Sequence, residues 1–308
     1  MRKFSLVLIL FLGALLVAEL LARYEGFANP LLYRVAGSSY ELAPDQHVAM
    51  LGHSETIDSF GLRGPEVAAR PTPGVTRIMV LGDSVANGGS HLDDSQTIPA
   101  VTSRKLTAQG CRNEILNASA GGWSLFDEVA WTRSHGLYGS RTVVWVINSM
   151  DLDEPAGNST LLDHNPAFPT HAPLSALGEI LFRYALPRLG IGPGTADNGS
   201  IMPGAFNEAI FKQTRALTRA FASDLHRQGV DLMVLYHDGV GSNPAPRQVA
   251  EQQFLADLSS AGITVVRTRP LEAAANPALF LDVIHPNAAG DALIGDHLAG
   301  YLRGYCRQ

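Results

Sequence analysis

From about residue 75 the chain alternates short, largely apolar runs with longer stretches whose apolar residues recur every three or four positions. The short runs, at 77–81, 113–119, 142–148, 231–237 and 263–268, read as buried strands, too short for helices and lacking polar alternation. Between them, helices are expected after Thr97-Ile98-Pro99, over 124–135, from about 206 to 228, over 246–260 and from about 287 to 305. Proline suits a first helical turn, and Ile210, Leu217, Phe221 and Leu225 form one stripe of the 206–228 segment. Such alternation predicts a parallel sheet with helices on both faces.

Two regions break the rhythm. Residues 23–74 show little periodicity and end in "ARPTPG", so a spacer and lead-in are expected over 25–74. Residues 152–203 are rich in proline and glycine, with one expected helix at 174–186; a connection this long is either a lid or an ordered excursion. The main domain is expected over 75–308, with 152–203 as its insertion. Ahead of it all, Arg2 and Lys3 precede the uncharged run 4–18, and Glu19 then interrupts. Over 1–24 two readings compete: a cleaved signal peptide, with a weak small-x-small site at Gly26-Phe27-Ala28, or an uncleaved anchor with Glu19 reaching the interface. The absence of a good Ala-x-Ala site favours the anchor. Either way the basic flank stays in the cytoplasm and the body is exported, periplasmic or otherwise extracytoplasmic.

With 308 residues, 46% hydrophobic, the chain suits one large domain, and a net charge of −6 without a basic cluster excludes nucleic acid as a partner. Export changes how the two cysteines read. In an oxidising compartment Cys111 and Cys306 can form one disulfide tying the chain end to the first helix–strand connection; two free thiols are the alternative. They offer no zinc-type ligand pattern.

Candidate chemistry gathers where strands end. "RIMVLGDSVANGG", 77–89, stops an apolar strand at Gly82, which permits a tight exit, and sets Asp83 and Ser84 where a helix begins. Near the other end, "LFLDVIHPNAAG" holds Asp282 and His285 three apart, just before a helix. Each stretch alone fits an ordinary cap or polar loop. Both, however, fall at the carboxyl edge of one sheet, where open α/β folds bind ligands, in the order Ser…Asp…His. There an imidazole can take the serine proton while a carboxylate fixes its tautomer.

These stretches, with "NASAGG" after the second strand, the polar end of the third and "DSFGLRGPE" at 58–66, resemble the SGNH, or GDSL-type, hydrolases, in particular exported bacterial members with an N-terminal anchor. The resemblance spans roughly 55–305. It implies a flavodoxin-like three-layer α/β/α sandwich with a central parallel sheet, a Ser84–His285–Asp282 triad, and no metal or cofactor. It also implies an oxyanion hole made by the Ser84 N–H, a glycine matching Gly122 (Gly121 being its rival) and a block-three asparagine. That third block departs from the family's Gly-x-Asn-Asp: in "INSMDLDE", aligning Asp151 places Met150, which cannot donate, at the asparagine position. Asn148 could serve only if the loop is shifted by two residues.

The expected activity is a serine esterase acting on small acyl, foremost acetyl, esters, on a glycan. An acyltransferase using the same triad and a non-catalytic glycan-binding module are the alternatives, the last favoured by Met150. Other polar residues carry weaker expectations. His91, Asp93 and Asp94 could line the pocket but better suit a solvated loop, and His164, His171 and His237 are read in loops and lack ligand spacing. Asp153 and Glu154 could meet a sugar or only water, and Trp123 could stack on a sugar or lie in the core. Of the sequons at Asn117, Asn158 and Asn198, the first is expected to be too buried for modification.

Overall fold

The computed structural model describes residues 2–191, 205–239, 245–269, 271 and 277–306. Chain order is α1 (Arg2–Tyr24), the strands β1 (Tyr33–Ala36), β2 (Ser39–Leu42), β3 (Gln46–Met50) and β4 (His53–Ile57), then β5 (Thr76–Gly82), α2 (Ser84–Asn87), α3 (Ile98–Ala108), β6 (Asn113–Ser119), α4 (Leu125–His135) and β7 (Thr142–Asn148). After these come α5 (Ala176–Glu179), a π turn (Ile180–Ala185), α6 (Leu186–Arg188), α7 (Glu208–Arg227), β8 (Asp231–His237), α8 (Ala245–Ser260), β9 (Thr264–Arg267) and α9 (Ala288–Leu302). The expected 174–186 helix is thus broken by a π turn, and the part of the 152–203 insertion at 192–203, including Asn198, lies outside the described residues.

Among the described residues, five parallel strands form a sheet in the order β6-β5-β7-β8-β9. Successive strand residues face opposite sides. Met79, Leu81, Val143, Trp145 and Val234 pack against α4, α7 and α8, while Ile78, Val80, Val144, Val146 and Met233 pack against α3 and α9. This is the flavodoxin-like α/β/α sandwich. Burial on both faces explains why the strands read as largely apolar runs rather than as polar–apolar alternation.

Strand order reverses between β5 and β7, which makes the crevice above them the expected ligand site. Register sets its parts level. Leu81 pairs with Trp145, bringing Ser84 to the height of Asn148, and Asn148 pairs with His237. Gly82 is needed here because a Cβ would lie 2.8 Å from that of Ala86 and 3.1 Å from that of Val146.

Residues 33–57, unremarkable in periodicity, build two antiparallel hairpins, β1–β2 and β3–β4. Cys111 and Cys306 are disulfide-bonded across a separation of 195 residues. A cross-link closing so long a loop removes much unfolded-chain entropy, so the Cys111→Ser/Cys306→Ser variant is expected to lose about 2–5 kcal/mol of unfolding free energy. Urea titrations of variant and parent, without reductant, measure it.

Candidate active site

Ser84 opens α2, and Asp83 caps it by accepting from the Val85 N–H at 2.8 Å. The Ser84 hydroxyl lies 2.8 Å from His285 Nε2, and His285 Nδ1 lies 2.8 Å from Asp282 Oδ2. The other Asp282 oxygen accepts from the backbone N–H groups of Ile284 (2.9 Å) and His285 (2.8 Å). Partial burial pushes the Asp282 carboxyl up, but those N–H groups and the imidazole outweigh it and hold the pKa below the usual carboxylate range. Asp282 therefore stays an anion and fixes the imidazole with Nε2 turned to the serine. Ser84 and His285, 201 positions of sequence apart, could not meet this way by local propensity; the sheet brings them together.

Both halves of this line are buttressed by groups the sequence reading did not select. His237, buried at the end of β8, bonds through Nε2 to the Ile284 carbonyl at 2.6 Å, bracing the turn that carries His285. It belongs to a strand end, not to a loop. On the serine side the Arg63 guanidinium, 4% exposed, donates to the carbonyls of Asn87 (2.7 Å), Gly89 (2.8 Å) and Leu92 (2.7 Å) and to Asp94 (3.1 Å). Glu55 stands 3.5 Å away. One side chain thus shapes the loop leaving α2.

Gly122 has φ +71, and a Cβ there would lie 2.7 Å from the Tyr40 hydroxyl and 3.0 Å from the Phe168 ring. Both conformation and space require glycine. The Tyr40 hydroxyl donates to the Gly122 carbonyl at 2.7 Å, so hairpin β1–β2 fixes this loop. Gly121 has no positive φ, though a Cβ there would approach the Tyr33 hydroxyl at 3.3 Å.

Asn148 has a different task from donating into the crevice. Its amide nitrogen is taken by Asp151 Oδ1 (2.7 Å) and Asp83 Oδ2 (3.3 Å), and its oxygen accepts from the Met150 N–H at 2.7 Å. Two amide hydrogens with two carboxylate partners leave none for an oxyanion. Burial pushes up the pKa of Asp83 and, further, of Asp151, and their mutual charge adds to this for Asp151. Met150 packs against the core cluster that contains Val85 and Ile284, neighbours of Ser84 and His285.

The weaker candidates resolve into structure. Asp153 is a buried ion-pair partner of Arg247 and also accepts from the Asn207 N–H. Burial, with the charges of Asp83, Asp127 and Asp153, pushes Glu154 up to about 8. Trp123 is core, its indole N–H donating to the Tyr40 carbonyl at 2.8 Å. Asp93 and Asp94 accept from Ser54 and Thr56, fastening hairpin β3–β4. His91 does reach the site's rim: its Nε2 lies 3.4 Å from the Pro286 carbonyl, and burial lowers its pKa. His164 turns to the Leu162 carbonyl, and exposed His171 lies beside Asp163. Asn117 is buried, bonding Ala86 and Ser119. Among the described residues no three His, Cys, Asp or Glu side chains gather as a metal site.

Asp291, in the first turn of α9, is sealed at 1% exposure, and burial pushes its carboxyl up to about 8 against the pull of His237. The folded chain then holds a proton that the unfolded chain releases near pH 4. Its contribution is full below about pH 4 and declines up to about 8, so Asp291→Asn should gain stability over the parent as pH rises through that window. Urea midpoints at pH 5 and pH 8 give the comparison.

Fold and site together define a class: a flavodoxin-like α/β/α chain with a serine–histidine–aspartate line at the carboxyl edge of its sheet, as the SGNH resemblance implies. No family model and no curated protein matches the chain. Among solved structures it is similar to the lipase/acylhydrolase from Enterococcus faecalis (12% identity, TM-score 0.49, covering 76% of this chain and 99% of that one). It is also similar to the acetyl xylan esterase AlAXEase (13% identity, TM-score 0.48, 73% and 99% covered) and to the two-domain esterase CEX, active on acetylated mannans (16% identity, TM-score 0.45, 75% and 49% covered). At these scores the fold assignment rests on the strand order itself.

Proposed function

We propose that the chain is a serine ester hydrolase, exported and tethered by α1, that removes small acyl groups, acetyl foremost, from a glycan. The observation that carries this reading is the continuous Ser84–His285–Asp282 hydrogen-bonded line. Ser84 Oγ attacks the acyl carbonyl while His285 Nε2 takes its proton, and Asp282 steadies the imidazolium. The imidazolium then protonates the departing alcohol, and water, activated by His285, releases the acid. The N–H groups of Ser84 and Gly122 are the proposed oxyanion donors; Asn148 is not among them, because its amide is engaged with Asp83 and Asp151.

Acetate release from p-nitrophenyl acetate and from acetylated xylan and mannan tests the reading. Release from none of them by folded protein would turn it down in favour of a glycan-binding module. Transfer of the acetyl group to an added sugar, in place of free acetate, would make the chain an acyltransferase. The missing side-chain donor gives a further expectation. Met150→Asn restores an amide at the third block and should raise kcat by up to about 10²-fold, since one such donor is ordinarily worth that much. Steady-state kinetics on p-nitrophenyl acetate read it directly.

A further inference from the structure

The stretch 174–191 turns large apolar side chains to solvent. Leu174 is 96% exposed, Leu189 71% and Phe182 61%, with Leu181 and Ile191 about half exposed. Single exposed apolar residues need no explanation, but a run of them marks a contact surface. This run is fastened to the end of α1. Glu19 accepts from the Ser175 hydroxyl (2.9 Å) and from the N–H groups of Ala176 (2.9 Å) and Leu177 (3.0 Å), capping α5. Arg23 donates to Glu19 at 2.7 Å and to the Leu174 carbonyl at 2.6 Å. The carboxylate that interrupts an otherwise apolar helix is thereby satisfied, and the exit of α1 and the start of the exposed stretch form one joint. Tyr184, edge-on to Phe27 with centroids 5.6 Å apart, ties the stretch to the body.

We propose that residues 174–191 are a foot lying in the headgroup layer of the bilayer that α1 crosses, with Leu174, Leu181, Phe182 and Leu189 turned towards the acyl chains. This rests on reading α1 as an uncleaved anchor, and depth is what links the two. An apolar helix of about 20 residues fills a hydrocarbon core of about 30 Å. The span Lys3–Tyr24 is 22 residues long with none of its apolar window buried in the body. At a rise of 1.5 Å per residue, Glu19 lies about 6 Å below Arg23. Interfacial helices sink their apolar faces by about 5–10 Å, so the capped end of the foot sits at the depth such a helix occupies. The surroundings fit: Tyr24, 85% exposed, and the exposed Arg188 are the ring and cation that favour an anionic interface.

The test uses the full-length chain in phosphatidylcholine/phosphatidylglycerol vesicles whose acyl chains carry bromine at shallow or deep carbons. The natural tryptophans at 123, 131 and 145 are all buried, so a tryptophan added at the surface reports its own surroundings. Phe182→Trp is expected to lose emission to shallow bromines, Leu10→Trp to deep ones, and Tyr301→Trp to neither. If Leu10→Trp is quenched while Phe182→Trp is not, the foot is overturned and the anchor stands. An unquenched Leu10→Trp overturns the anchor, and the foot as stated falls with it. A Phe182→Trp emission that shifts to the blue without quenching overturns the foot by assigning this face to a second copy of the chain.

Discussion

Ser84→Ala should lower ester turnover by about 10⁴- to 10⁶-fold while leaving the fold intact. On the proposed mechanism the loss is this large because the hydroxyl forms the acyl bond, while His285 and Asp282 move and steady its proton. The fold should not notice, since among the described residues the Ser84 hydroxyl bonds only the imidazole while α2 is capped by Asp83. His285→Ala should cost nearly as much, and the double variant little more, because the pair acts as a unit. Rates on p-nitrophenyl acetate alongside thermal melts measure this. Additive losses in the double variant would mean that the two residues work separately.

Arg63→Met should lower unfolding free energy by about 3–5 kcal/mol, the ordinary result of removing one partner from a buried ionic cluster. Glu55, buried with neither oxygen hydrogen-bonded among the described residues, would lose its neighbouring charge, and three backbone carbonyls would lose their donor. Arg63→Lys separates the contributions. It keeps the charge but cannot reach the carbonyls of Asn87, Gly89 and Leu92 at once, so stability should partly return while activity stays low. Adding Glu55→Gln to Arg63→Met should recover part of the lost stability. Urea titration and turnover of the three variants decide it; full activity in Arg63→Lys would free the loop leaving α2 from this guanidinium.

The sheet was legible because buried parallel strands write short, largely apolar runs: 113–119, 142–148 and 231–237 coincide with β6, β7 and β8. Ser84, Asp282 and His285 were legible because a sharp glycine exit and an Asp-x-x-His turn each have a local signature at a strand end. Hairpins β1–β2 and β3–β4 were not, since their strands are only four or five residues long, β3 buries Val48 between exposed neighbours, and β2 buries the charged Glu41 beside Tyr40 and Leu42. Asn148 shows a different limit. Its position invited an oxyanion role, yet which way an amide points is decided by the carboxylates of Asp83 and Asp151, and spacing cannot reveal that. Arg63 was visible in "DSFGLRGPE", but three of its partners are backbone carbonyls, which carry no side-chain signal, and its carboxylate partners Glu55 and Asp94 have no fixed spacing from it.

All of this chemistry depends on Ser84 being an activated nucleophile. Fluorophosphonate labelling of the full-length chain, with the modified peptide mapped by mass spectrometry, tests it most directly. One adduct is expected, on Ser84, abolished in both Ser84→Ala and His285→Ala. An unlabelled Ser84 in folded protein, or an adduct that survives His285→Ala undiminished, would contradict it.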